Sequence, residues 1–370
     1  MISILAISDV HLGCPRLDAR NLHNRFRKYL YPLITEDIDI LFICGDFFDG
    51  SLTMSALSSL ESLEIIAELK MLCRQAHCDL RVLRGTFSHD QTQPKHFVYS
   101  EDPNGTEVRL YDSMAIEFNK KTGLNILYIP DNIASQDIYA DINELLSKHG
   151  LESVDIMVHH GYFNHLLGPN APVPHGSLDA ERVGKFVTGC VLNGHVHHPG
   201  VYRNVISVGS FDRLTHGEET PKGFYRVDIG DDRVYKFTFI ENKDANKFLT
   251  FDLRSYGTLT TQVVDIFTKK WSEILPTFHD NEIVRVRFLS DDASAVEACT
   301  HVAKSSYERV LFDKATVAKR EKIIENVHTS LDELPVITPD NLQELLMPII
   351  SKSNPNITPL EVHNILKACS

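Results

Sequence analysis

The apolar positions of the chain fall in short runs, most of them followed directly by a polar cluster. Eight runs stand out: Ile2–Ile7, Ile38–Cys44, Leu80–Leu83, Leu124–Ile129, Val154–Val158, Val191–Asn193, Val205–Val208 and Phe224–Val227. They are continuous rather than alternating, the pattern of strands buried on both faces. Helical or loop-like stretches separate them, which predicts a layered α/β domain with its helices outside. Between the second and third runs, Met54–Cys73 carries Leu, Ile, Ala and Glu at helical spacing. It predicts a helix that covers the core, with a dimer face as the alternative role.

Near residue 250 the texture changes. NEIVRVRF alternates as a strand over Ile283–Phe288, and a turn leads into a helix near Ala293, which together make a small α+β appendage. At the end, Thr338 and Thr358 suit helix N-caps, with Pro339 and Pro359 at the first helical position. These two short amphipathic helices read as a docking module or as a hairpin folded back on the body. The 370 residues thus divide into a main domain over 1–250, an appendage over 251–328 and a helical tail over 329–370.

With 43% hydrophobic and 24% charged residues, the chain can bury a sizeable core. No apolar run reaches the roughly eighteen residues of a membrane span. The opening MISILAISDV has no basic region or cleavage site, so a cytoplasmic protein is expected. The seven cysteines are odd in number and scattered, as reduced core residues are. Cys73 and Cys78 lack the second pair that a zinc knuckle needs. A net charge of −13 argues against a free-standing nucleic-acid binder, because phosphate contacts need Lys and Arg. Clustered carboxylates also ligate metals, however, and a bound divalent ion reverses the local field.

The chemistry sits where the strands end. SDVHLG, CGDFFDG, GTFSHD, VHHGYF and NGHVHH each follow a predicted strand, and in layered α/β folds ligands bind beyond the carboxyl ends of strands. One such Asp or His is usually structural. Five strand ends that all carry Asp or His are not explained as solvated loops. The inventory suits borderline divalent metals such as Mn, Fe or Zn. Asp9 and His11 stand two apart, so both point to one side of an extended strand end, and His195 and His197 repeat that spacing. A carboxylate such as Asp46 can bridge two cations ~3.5–4 Å apart, which clamps the attacking and leaving oxygens of a phosphoryl centre. A histidine is the natural general acid for the leaving group.

In this order D-x-H, G-D-x-x-D, a G-N-H-D-like loop, a strand-end His and G-H-x-H resemble the calcineurin-like metallophosphoesterases. SDVHLG and GDFFDG are similar to the DNA double-strand-break repair nucleases among them, the SbcD and meiotic-recombination-eleven type with its phage counterparts. VISVGSFDRLTHGEETPKGFYRVDI and NEIVRVRF resemble the following segment and the start of the capping domain of that subfamily, so the likeness reaches about residue 325. It implies a four-layer α/β/β/α sandwich with a small α+β capping domain and a helical C-terminal tail.

Carried over, the resemblance implies a first metal held by Asp9, His11, Asp46 and His197. A second is implied at Asp46, His160 and His195, with a ligand from GTFSHD. His159 replaces His160 if the strand alternation is offset. His89 is implied as general acid or transition-state stabiliser, with Asp90 orienting its ring and Asp49 bracing the loop. GTFSHD has two extra residues and no Asn. Registered from His89-Asp90, Ser88 takes the ligand position; registered from Gly85, Thr86 does, and Ser88 is preferred because its neighbour His89 must reach the scissile phosphate. Without an amide carbonyl, the second metal is expected to bind more weakly or to take a water. His198 is read as lining the site or meeting substrate phosphate, Arg213 as a surface salt bridge with a DNA phosphate contact as the alternative, and His175 and His216 as loop residues.

The resemblance further implies two divalent ions, manganese first with Mg, Fe or Zn as alternatives. It implies DNA ends as substrate, an SbcC-like coiled-coil ATPase subunit as partner, and a homodimer. Two other functions stay open: a metallophosphodiesterase acting on nucleotides or phosphoproteins, and a decayed scaffold subunit.

Overall fold

The structure is a computed structural model and describes residues 1–50, 57–98, 108–131, 137–166, 173–174, 176–278 and 282–313. A first six-stranded sheet contains β1 (Ile2–Ile7), β2 (Ile40–Cys44), β3 (Asp79–Leu83), β4 (Val108–Tyr111), β11 (Gly223–Ile229) and β12 (Tyr235–Glu241), in the order β12-β11-β1-β2-β3-β4. β1 to β4 run parallel, while β11 and β12 complete the sheet antiparallel. A second six-stranded sheet contains β5 (Ala115–Asn119), β6 (Leu124–Ile129), β7 (Val154–His160), β8 (Val187–Gly194), β9 (Gly200–Tyr202) and β10 (Val205–Ser207), in the order β5-β6-β7-β8-β10-β9.

Alternation along β1 assigns the layers. Ile4 and Ala6 pack between the sheets with Phe42, Tyr128, Ile156 and Leu192. Leu5 and Ile7 point the opposite way, as successive strand residues must, and lie under Ile65, Leu69 and Cys73 of the helix Leu57–Gln75. On the far side, Leu127, Met157 and Val191 are covered by Ile142 and Leu146 of the helix Ile138–Lys148. The result is the expected four-layer α/β/β/α sandwich. Strands buried on both faces explain the unbroken apolar runs.

The helix expected over Met54–Cys73 runs Leu57–Gln75 in the described residues. All eight predicted runs are strands, with ends shifted by up to a few residues. The α+β appendage is a parallel sheet of β13 (Lys247–Asp252), β14 (Val284–Leu289) and β15 (Val310–Asp313), backed by the helices Thr260–Ile274 and Ala293–Ser306. Its core gathers Phe251, Phe267, Trp271, Phe288 and Cys299. Asp292 caps the second of these helices by accepting from the backbone N–H groups of Ser294 and Ala295. The expected tail helices at Thr338 and Thr358 lie outside the described residues, as does His175. Among the described residues, six cysteines are free thiols and five of these are buried. Among the described residues, no helix is long and apolar enough to cross a membrane.

Candidate metal centre

β1, β2, β3, β7 and β8 deliver their C-terminal ends to one edge of the sandwich, where both sheets contribute side chains. The backbone there is forced into an unusual shape. Asp9 (φ 49°), His11 (φ 50°), Asp46 (φ 48°) and His195 (φ 81°) all adopt left-handed conformations. Each such non-glycine residue costs on the order of 1–3 kcal/mol, and the surroundings must enforce it. They do so by hydrogen bonds between the loops after β1 and β2: Asp9 N–H to Gly45 O (3.1 Å), His11 N–H to Asp46 O (3.1 Å) and Leu12 N–H to Phe47 O (2.8 Å). Two glycines let the loops approach closely. A Cβ at Gly45 would lie 2.2 Å from His160 Nδ1, and one at Gly85 would lie 2.2 Å from Asp46 Oδ1.

Six of the seven predicted ligands, all but Ser88, converge with His89 into three overlapping groups, Asp9–His11–His197, His11–Asp46–His89 and Asp46–His160–His195, with the donor atoms of each group within 4.8 Å of one another. Asp46 Oδ2 stands 3.2 Å from His160 Nε2 and 3.9 Å from His11 Nε2. Asp9 Oδ1 stands 3.7 Å from His197 Nε2 and 4.0 Å from His11 Nε2. Two of these atoms, His11 Nε2 and His160 Nε2, are buried without any hydrogen-bond partner. A buried unsatisfied polar atom costs about 1–3 kcal/mol, and a divalent ion is the ligand that an imidazole lone pair among carboxylates fits. His160 Nδ1 meets Cys44 O at 2.7 Å and His197 Nδ1 meets Glu218 Oε1 at 2.9 Å. Each contact holds the ring proton on Nδ1 and presents a bare Nε2 inward. Two divalent cations in these groups would supply Lewis-acid polarisation of a phosphoryl oxygen and a water of lowered pKa.

The electrostatics agree. Burial alone raises the Asp46 carboxyl, yet the charge of His160 holds it well below the usual range. Burial likewise lowers His160, and Asp46 overrides it in the opposite direction. Asp49 is brought down to about 2 by the hydrogen bond of His11, against burial, and by that of His89. Burial, followed by the charge of Asp46, raises Asp90 to about 6.

His159 points away from the groups. Its Nδ1 contacts Asn193 Oδ1 at 2.6 Å, its edge meets Phe163, and burial pushes it down to about 3. His160 is the histidine beside Asp46. His89 lies edge-on to His11 at 4.6 Å between ring centres and is 38% exposed, so it borders both the metal groups and solvent.

Two expectations give way. Asp90 does not orient His89; Asp49 does, with Oδ1 2.6 Å from His89 Nδ1 and 3.4 Å from His11 Nδ1. Asp90 instead accepts from the backbone N–H groups of Asp46 (3.1 Å), Phe48 (3.0 Å) and Gly85 (2.7 Å), and thereby ties the loops after β2 and β3 together. Ser88 does not take the ligand position. The two extra residues wind Phe87–Asp90 into a helical turn, and Ser88 is exposed on it. Thr86 faces inward: its N–H donates to Asp46 Oδ1 (2.5 Å) and its Oγ1 is 3.4 Å from His195 Nδ1.

Among the remaining residues, His198 Nδ1 meets Thr220 Oγ1 at 2.9 Å beside the centre. His216 bridges Thr250 and Asp313. Among the described residues, Arg213 forms no salt bridge; it donates to the carbonyls of Glu218, Ala245, Asn246 and Thr220. Glu218 and the fully buried Lys222 are the neighbours of the site that residue spacing did not reveal. The only signal was the Gly-Glu and Lys-Gly-Phe segment in which they lie.

Residues 2–199 match the model of the family described as calcineurin-like phosphoesterase. No curated protein matches. Of 21 matching chains of solved structures, one is 13% identical and covers 65% of this chain and 99% of its own, with a TM-score of 0.36.

Proposed function

The chain belongs to the calcineurin-like phosphoesterases, a family of metal-dependent hydrolases, and from this premise we propose that it is a manganese-dependent DNA exonuclease and endonuclease. The observation that carries phosphodiester hydrolysis is the placement of His89. It borders the His11–Asp46 group, is partly open to solvent, and is held by a carboxylate at 2.6 Å. A histidine so placed can protonate a leaving alkoxide. Asp46 and Asp9 stand beside the histidines of the three groups, and Asp90 ties together the loops that carry Asp46 and His89.

DNA as substrate is supported by the resemblance of 205–229 and 282–288 to the repair nucleases. It is supported also by the folded appendage Lys247–Asp313 that follows β12. On this reading the protein is the cytoplasmic nuclease subunit of an SbcCD-like end-processing complex, with residues 329–370 docking the ATPase. The helix Leu57–Gln75, which exposes Leu60 and Met71, is the dimer face.

The test is degradation of linear duplex and single-stranded DNA by the purified chain in Mn²⁺, alone and with the ATPase. Cleavage that a chelator abolishes and Mn²⁺ restores is expected. Intact DNA together with cleavage of small phosphodiesters or phosphoproteins overturns the nuclease reading, and absence of all hydrolysis points to a scaffold.

A further inference from the structure

The segment Ser210–Lys222 lies beyond the part of the chain that matches the family, yet it packs a buried ion pair behind one metal group. Lys222 is fully buried, and Nζ donates to His197 O (2.8 Å), Ser210 Oγ (3.0 Å) and Glu218 Oε2 (2.9 Å). An ammonium has three donors, so this one is satisfied by three acceptors. Glu218 Oε2 also accepts from Leu214 N–H at 3.1 Å. Two bonds therefore fix one carboxylate oxygen and leave Oε1 a single task, the contact with His197 Nδ1 at 2.9 Å. Arg213 steadies the segment by donating to Glu218 O at 3.0 Å.

We propose that Glu218, clamped by Lys222, is the positioning residue of the first metal position: it holds the Nδ1 proton of His197 and so aims the Nε2 lone pair at an ion beside Asp9. The ring then offers a bare nitrogen 3.7 Å from Asp9 Oδ1, in the group Asp9–His11–His197. A carboxylate behind a ligating imidazole raises its basicity, and loss of such a partner typically weakens metal binding by about ten- to a hundredfold. A purely structural role fits poorly. A buried ion pair is rarely more stabilising than apolar side chains of the same volume, and here the pair terminates on a ligand ring rather than on backbone alone. The inference rests on the metal-binding reading of the site.

The test is calorimetric titration of chelator-treated protein with Mn²⁺, with ¹⁵N resonances of the histidine rings as a second readout. The wild type is expected to bind in two steps. Glu218→Gln should weaken, by about ten- to a hundredfold, the same step that His197→Ala abolishes, leave the other step unchanged, and shift the His197 tautomer signal. Because Glu218→Gln also strands the Lys222 charge, the double variant Glu218→Gln/Lys222→Met is compared. Wild-type folding stability with metal binding still weakened supports positioning. Restored metal binding in the double variant, or unchanged binding in Glu218→Gln, overturns the proposal. A wild type that takes up no Mn²⁺ overturns the metal reading and this inference with it.

Discussion

Arg81 lies in β3, fully buried, and its Nε reaches both oxygens of Glu117 at 3.0 and 2.9 Å. Its Nη2 donates to Asp79 Oδ2 (3.1 Å), and Glu117 Oε2 also accepts from the hydroxyls of Tyr111 and Tyr128, both at 2.8 Å. Where β1, β2, β7 and β8 end, each metal group joins two buried residues to one partly exposed histidine, and His11 Nε2 and His160 Nε2 have no hydrogen-bond partner. The first cluster saturates its donors and acceptors with protein atoms, as a structural polar network must. The second leaves lone pairs unspent and holds four backbone positions in left-handed strain to do so. Burial and charge do not separate the two clusters. Satisfaction does: the orphaned atoms mark where a ligand belongs.

If that distinction is sound, substitutions in the two clusters must fail in different ways. The largest effect is expected from Asp46→Asn, since Asp46 belongs to two of the three groups. The loss of the several kcal/mol that metal ions supply corresponds to a drop of at least about a thousandfold in hydrolysis. Metal uptake by elemental analysis should fall with it, while the urea midpoint of the metal-free protein stays near the wild type. A strongly destabilised variant with intact metal content would break the comparison.

Glu117→Gln should show the reverse. Removal of one partner of a buried pair costs about 3–5 kcal/mol, read from urea unfolding, with Mn²⁺ uptake unchanged. The effect also carries a pH signature. Against burial, Arg81 holds the Glu117 carboxyl below its ordinary 4.5. Its folded form therefore binds protons less readily than its unfolded form. The stabilisation is fully present above about pH 4.5 and is lost as the pH falls through the lowered folded value. The stability gap between wild type and Glu117→Gln should narrow on acidification; a gap that widens there would sink this account.

His89→Ala tests the boundary of the metal cluster. Hydrolysis should fall by about a hundredfold or more, with two ions still bound, because the ring sits on the solvent side of His11. Loss of an ion would make His89 a ligand, a reading its place in the His11–Asp46 group permits.

The layered fold was legible because strands buried on both faces write continuous apolar runs. Every loop that carries a candidate ligand was legible because it follows such a run. Strand β13 was not, since Lys247–Asp252 gains its meaning only from a parallel partner over thirty residues on, at Val284–Leu289. Glu218 and Lys222 escaped for the same reason: spacing reports neighbours along a strand, not a carboxylate arriving from the far side of a ring. The Thr86–Ser88 register failed differently. The sequence shows an insertion but not that its residues wind into a turn, which exchanges the inward and outward positions.

That exchange sets up the finest comparison, between the two metal positions themselves. Behind the first, His11 and His197 are backed by the carboxylates of Asp49 and Glu218; at the second, His160 is backed by the neutral carbonyl of Cys44, and the Thr86 hydroxyl lies 3.4 Å from His195 Nδ1. A carboxylate makes an imidazole a better donor than a carbonyl or hydroxyl does, so the first position should be the tighter. Thr86→Val keeps the shape and removes Oγ1. It should weaken only the weaker of two Mn²⁺ binding steps, by about tenfold, and leave the tighter step untouched. Thr86→Asn brings an amide carbonyl to the same place and should tighten that weaker step. Equal shifts in both steps for either variant would show that Thr86 acts through the shared Asp46, whose Oδ1 accepts from its N–H, rather than through the second position alone.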